Sequence, residues 1–214
     1  MILFKEKGHT ILEMAMVAAV FSLFLVFMYA TFDMGLKSWQ IGSIRSELQQ
    51  SAEVAIKRII KDLTCTNMSS LVIGPSGEYI AFESPISITT RDFVYDPNNG
   101  LPEWQGHIIY FTLPSDKDGI VLYRKYINRG AGKANINPLS LPSPINTSTY
   151  LVADDDARVM ARNLKSINFN KYGSNITVTI KYIKDIRKNA SVNFSAQGKG
   201  IEEFELISSV IPKN

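Results

Sequence analysis

The stretch Lys7-Gly8-His9-Thr10-Ile11-Leu12-Glu13, running on into the apolar segment Met14 to Phe32, decides the fold. Between Glu13 and Asp33 no residue is charged. At ~1.5 Å per helical residue that interval crosses a hydrocarbon core of ~30 Å, so it predicts a membrane-spanning helix. A carboxylate at the start of such a helix is costly unless something pairs with it. A secretory signal peptide does not fit, because Thr31-Phe32-Asp33-Met34-Gly35, which closes the run, offers no A-x-A-like cleavage pattern.

Upstream, Lys5 and Lys7 supply the positive charge that holds a short leader on the cytoplasmic side. A cut between Gly8 and His9 would create an α-amino group four residues before Glu13. In a bundle of parallel, staggered helices one chain's carboxylate can meet the next chain's amine, and in low dielectric that pair is far better than either charge alone. These residues resemble the prepilin signal of the type IV pilin superfamily. Gly8 stands before the cut, Thr10 follows the new terminus, Ile11-Leu12 is the apolar pair, and Glu13 is the fifth residue of the mature chain. His9 departs from the Phe or Met usual in the family. The resemblance implies cleavage after Gly8 by a prepilin peptidase, methylation of the His9 amine, and pairing of Glu13 with a neighbouring subunit.

Downstream, Leu36, Trp39, Ile41, Ile44, Leu48, Ala52, Ala55, Ile59 and Leu63 recur every three or four residues, the signature of one helical face. Lys37, Arg45, Glu47, Glu53, Lys57, Lys61 and Asp62 are assigned to the opposite, polar face. No proline precedes Pro75, so a single helix from about Thr10 to about Thr64 is expected, with Gly35 and Gly42 the places for a bend. Its final run, Ala55-Ile56-Lys57-Arg58-Ile59-Ile60-Lys61-Asp62-Leu63, is similar to the J-type minor pseudopilins of type II secretion and related minor pilins.

From Cys65 the period changes to two. Asn175 to Tyr182 places Ile176, Val178, Ile180 and Tyr182 on one face and Thr177, Thr179 and Lys181 on the other, a half-buried strand. It is expected to pair with Leu164 to Asn170. An earlier hairpin joins Ile108–Leu113 to Ile120–Ile127 through a turn ending in Asp118-Gly119. Shorter candidate strands are Tyr79–Phe82, Ile86–Thr89, Phe93–Tyr95, Ser191–Phe194 and Phe204–Val210, and Asn128 to Tyr150 is expected to be a surface loop. The expected fold is α+β and type IV pilin-like: leader 1–8, transmembrane or filament-core helix 9–35, amphipathic continuation 36–64, and a β-rich extracytoplasmic head 65–214 formed by an antiparallel sheet.

Composition limits the chemistry. The chain has 214 residues, 45% of them apolar, enough for one helix and one soluble domain. Its net charge of +3 is too small to imply nucleic acid. Lys57-Arg58, Arg124-Lys125 and Arg187-Lys188 could form a basic patch for DNA, but residues spread so thinly read as solvated surface. The single cysteine, Cys65, excludes an internal disulfide and reads as a buried small residue near the helix end. Of two histidines, His9 lies in the processing signal and His107 reads as a partly exposed structural residue. No catalytic motif appears, so no enzyme and no cofactor are expected. Asp154, Asp155 and Asp156, or Asp116 and Asp118, could give oxygen ligands to calcium, but neither set completes a calcium loop.

Together these residues point to a minor pilin or minor pseudopilin, a structural subunit of a type IV pilus, competence pilus or secretion pseudopilus. Its expected partners are other pilins or pseudopilins, the prepilin peptidase and an inner-membrane assembly platform. It would be a single-pass inner-membrane protein until drawn into the filament. The alternative is a filament-tip adhesin or DNA-binding module displayed on a pilin helix.

Overall fold

A computed structural model describes residues 10–115, 119–128, 150–185 and 201–212. Helix α1 runs unbroken over Ile11–Thr64, 54 residues or ~80 Å at the usual rise. It continues through Gly35 and Gly42, where an added Cβ would meet nothing within 4 Å. Neither glycine is there for a close contact.

The chain divides into two units, 1–44 and 45–214. In the first, the helix surface is bare. Its large apolar side chains from Ile11 to Phe32 are exposed, and an 18-residue window there has a mean hydropathy of 2.4 with nothing buried. This one helix is long and apolar enough to cross a membrane. The expected apolar face is half-buried at Ile41 and Ile44 and fully buried from Leu48. Leu36 and Trp39, read as part of that face, remain exposed.

The second unit is the rest of α1 and an antiparallel sheet, giving an α+β class. The strands are β1 (Val72–Ile73), β2 (Tyr79–Ser84), β3 (Gly106–Ser115), β4 (Gly119–Asn128), β5 (Ala157–Tyr172), β6 (Asn175–Asp185) and β7 (Ile201–Val210). They form a seven-stranded sheet in sequence order, each strand antiparallel to the next. Both expected hairpins are present, β3 with β4 and β5 with β6. The second turns on Gly173-Ser174, with Gly173 at φ +61°, a conformation suited to a two-residue hairpin loop. On β6, Ile176, Val178, Ile180 and Tyr182 are fully buried, as the alternation predicts.

Three expectations change. Ile86–Thr89 and Phe93–Tyr95 are not strands; they make single bridges, Ile86 to Phe93 and Tyr95 to Pro102, in a loop of tight turns. Strand β5 begins at Ala157, earlier than Leu164, because its first half pairs with β4 and its second half with β6. The change of partner occurs at Leu164, beside Asn163 at φ +58°. The Ser191–Phe194 candidate and the loop 129–149 lie outside the described residues.

Where the second half of β5 has left β4, the β1–β2 turn takes its place. The Phe169 amide donates to the Gly77 carbonyl at 2.9 Å, and the Asn168 side-chain amide donates to the Ser76 carbonyl. Gly77 is required twice over. Its φ is +72°, and a Cβ would lie 2.6 Å from Asn168 Oδ1 and 2.8 Å from the Phe169 carbonyl oxygen. The sheet thus curls.

Both faces of β2 and β3 are buried. One face carries Ile80, Phe82, Ile108 and Tyr110 and is met by α1, whose Leu48, Ala52, Ala55, Ile56, Ile59 and Leu63 are buried. The other carries Val72, Tyr79, Ala81, Ile109 and Phe111, flanked by half-buried Tyr123, Tyr150 and Leu151. The helix is tied to the first face by Asp62. Its Oδ2 accepts from the Tyr110 hydroxyl and from Arg124 Nε, both at 2.7 Å, and Arg58 Nε lies 3.5 Å from Oδ1. Asp62 was assigned to the solvated face; it is 2% exposed.

Replacing Asp62 by Ala leaves Arg124 and the Tyr110 hydroxyl buried without their acceptor, a loss of about 3–5 kcal/mol. By contrast, the Tyr182 hydroxyl is buried with no partner among the described residues. Tyr182→Phe is therefore expected to leave stability unchanged or raise it. Chemical denaturation of both variants measures the two effects.

Candidate functional site

Of the residues named in the processing signal, Gly8 and His9 lie outside the described residues. Glu13 is in the first turn of α1, where four backbone N–H groups lack helical acceptors. Its Oε2 accepts from the Thr10 amide at 2.9 Å, and the Thr10 hydroxyl accepts from the Glu13 amide at 3.3 Å. This is a capping box, in which two orphan donors are satisfied reciprocally. The carboxylate also sits at the positive end of the helix dipole. Sequence reasoning missed this role although its signal, Thr-x-x-Glu before an apolar run, was in plain view.

Downstream, polar side chains inside the apolar run close back on the helix. The Ser22 hydroxyl donates to the Ala18 carbonyl and the Thr31 hydroxyl to the Phe27 carbonyl. Neither leaves an unsatisfied group in an apolar surrounding. At the end of the run, Asp33 pairs with Lys37 one turn later.

Several of the candidate basic and acidic groups are engaged with one another. Arg124 pairs with Asp62. Burial alone would lower its pKa, but the Asp62 carboxylate raises it. The Tyr110 phenol is pushed well up, by burial first and then by Asp62. Lys57 pairs with Glu53, and Lys125 with Asp154. Arg187 and Lys188 fall outside the described residues. Asp154, Asp155 and Asp156 lie just before β5, and among the described residues no three acidic, His or Cys side chains gather as metal ligands. Asp116 and Asp118 are not among the described residues.

His107 is a correction. It lies within β3, is 7% exposed, and its Nε2 is 3.5 Å from Glu83 Oε1 on the paired position of β2. Its charged neighbour is brought to it by the strand register, which sequence spacing does not reveal. Cys65 follows the last helical residue and is half-buried.

No family model, curated protein or solved structure matches the chain.

The Asp154 carboxyl is held below its ordinary pKa, first by the hydrogen bond from Lys125. A lowered folded-state pKa stabilises the fold fully above the unfolded value, about 3.9, and that contribution fades as pH falls through the folded one. Below about pH 4, stability of the wild type is expected to drop more steeply than that of Asp154→Asn. Denaturant midpoints measured across that range compare the two.

Proposed function

We propose that this chain is a pilin-like structural subunit of the minor pilin or minor pseudopilin kind, built into a membrane-associated filament through its amino-terminal helix. The observation that carries the reading is the division of one unbroken helix. Its first part is apolar on every side and uncovered, whereas its last turns are buried against the β head. An apolar surface that extensive needs either lipid or the helices of other subunits. A filament core supplies the second.

In this reading a prepilin peptidase cuts after Gly8, the new amine on His9 is methylated, and an inner-membrane platform moves the subunit from the bilayer into the filament. Met14 to Phe32 packs among parallel helices of other pilins. Glu13 then has two acceptor roles, capping Thr10 within its own helix and neutralising the amine of a neighbour. The head faces the extracytoplasmic side. Because Arg58, Arg124 and Lys125 are already paired with carboxylates, DNA is not the partner this reading favours.

The two roles of Glu13 separate experimentally. Glutamine at the third helical position still closes a capping box but carries no charge. Glu13→Val and Glu13→Gln are both expected to be cleaved normally and to enter sheared filaments poorly, while Gly8→Phe blocks cleavage. Wild-type incorporation of Glu13→Gln, read by immunoblot of the filament fraction, would assign Glu13 to capping alone and contradict the pairing.

A further inference from the structure

The motif Asn-x-Ser/Thr, with x other than proline, is the acceptor signal for an asparagine-linked sugar chain in an extracytoplasmic domain. It occurs five times, at Asn67, Asn146, Asn175, Asn189 and Asn193. Asn146, Asn189 and Asn193 lie outside the described residues. The Asn67 carboxamide is already used by the fold: its Oδ1 accepts from the Ser69 amide and the Ser69 hydroxyl, both at 2.9 Å, and caps the short 3-10 turn Met68–Ser70. Asn175 is different.

Asn175 opens β6 directly after the Gly173-Ser174 turn. Residues 171–175 are all exposed, and a Cβ added at Gly173 would meet nothing within 4 Å, so the hairpin tip stands clear of the other described residues. The Asn175 side chain has no hydrogen-bond partner among the described residues. Thr177 lies two positions along the strand, which puts its hydroxyl on the same face as the Asn175 amide, opposite the buried row Ile176, Val178 and Ile180. Tyr172 is the cross-strand partner of Asn175 and therefore shares that face, at a Cβ separation of ~4.5–5.5 Å. It is 68% exposed.

An acceptor amide, the hydroxyl that marks it and a bare aromatic ring thus share one exposed end of the sheet. We infer that Asn175 is a glycosylation site, and that Tyr172 gives the C–H face of the first sugar an apolar surface to pack on. In the reaction the Asn175 Nδ2 bonds to C1 of a sugar carried on a lipid pyrophosphate. The C1–O bond to the pyrophosphate breaks, the pyrophosphate leaves with the electron pair, and Nδ2 loses one proton. A membrane-bound oligosaccharyltransferase is the class of enzyme that carries out this step. The inference rests on the proposed function only in placing the head on the extracytoplasmic side.

The test is peptide mapping by mass spectrometry of the full-length protein recovered from its own membranes. The peptide containing Asn175 is expected to carry an adduct that releases sugar fragment ions. Thr177→Ser is expected to keep that adduct, and Thr177→Ala, which leaves Asn175 in place, to lose it. Tyr172→Ala is expected to lower the thermal transition more in the glycosylated protein than in an Asn175→Gln background, and equal lowering in both would overturn the packing assigned to the ring. An unmodified Asn175 would overturn the inference, and if that chain begins at His9 the filament reading stands without it. A modified Asn175 in a chain that begins at Met1 would support the inference and overturn the filament reading instead. An adduct that survives Thr177→Ala, or sugar found only on other asparagines, would also overturn the inference.

Discussion

One buried carboxylate holds the head together. Asp62 lies in the last turn of α1, and its two closest partners, Tyr110 and Arg124, are cross-strand neighbours on β3 and β4. Apolar packing of Leu48, Ala52, Ala55, Ile59 and Leu63 supplies most of the driving force, but it is indifferent to small slides of the helix along the sheet. A charge that must find one guanidinium and one phenol is not indifferent. It fixes both the rotation of the helix and its position along its axis. Removing Asp62 would strand both partners in low dielectric, so the cluster acts as a unit.

That anchoring gives the rest of the helix its meaning. The final turns of α1 are held by the head, whereas the uncharged run Met14 to Phe32 is exposed and lies in a separate unit. The helix does not stop where its cover stops, because nothing breaks it: no proline, and two glycines in open space. A helix that continues into a uniformly apolar surface requires a second environment. Its first turn is prepared for one, since Thr10 and Glu13 satisfy each other's backbone donors without help from solvent.

Much of this was legible in the residues. The helix followed from charge-free length and then from spacings of three and four. The hairpins followed from alternation and from glycine turns. Asp62 was not legible. Its neighbour Lys61 is exposed, local spacing placed both on a polar face, and the partners that bury Asp62 lie 48 and 62 positions away. The start of β5 was hidden because Ala157 to Arg162 is partly exposed and its polar residues blur the alternation. Ile86–Thr89 and Phe93–Tyr95 have strand composition, but the turn Ser87 to Asp92 between them allows only one bridge. The capping box is legible as Thr10-x-x-Glu13, but the same carboxylate beside an apolar run also fits an external partner, and sequence spacing alone does not separate the two roles.

The measurement that tests the filament reading most directly is the intact mass and amino-terminal sequence of the protein recovered from its own membranes. A chain beginning at His9 and heavier by one methyl group is the predicted result. A chain still beginning at Met1 would contradict it, leaving a single-pass anchor whose Glu13 does no more than cap its own helix.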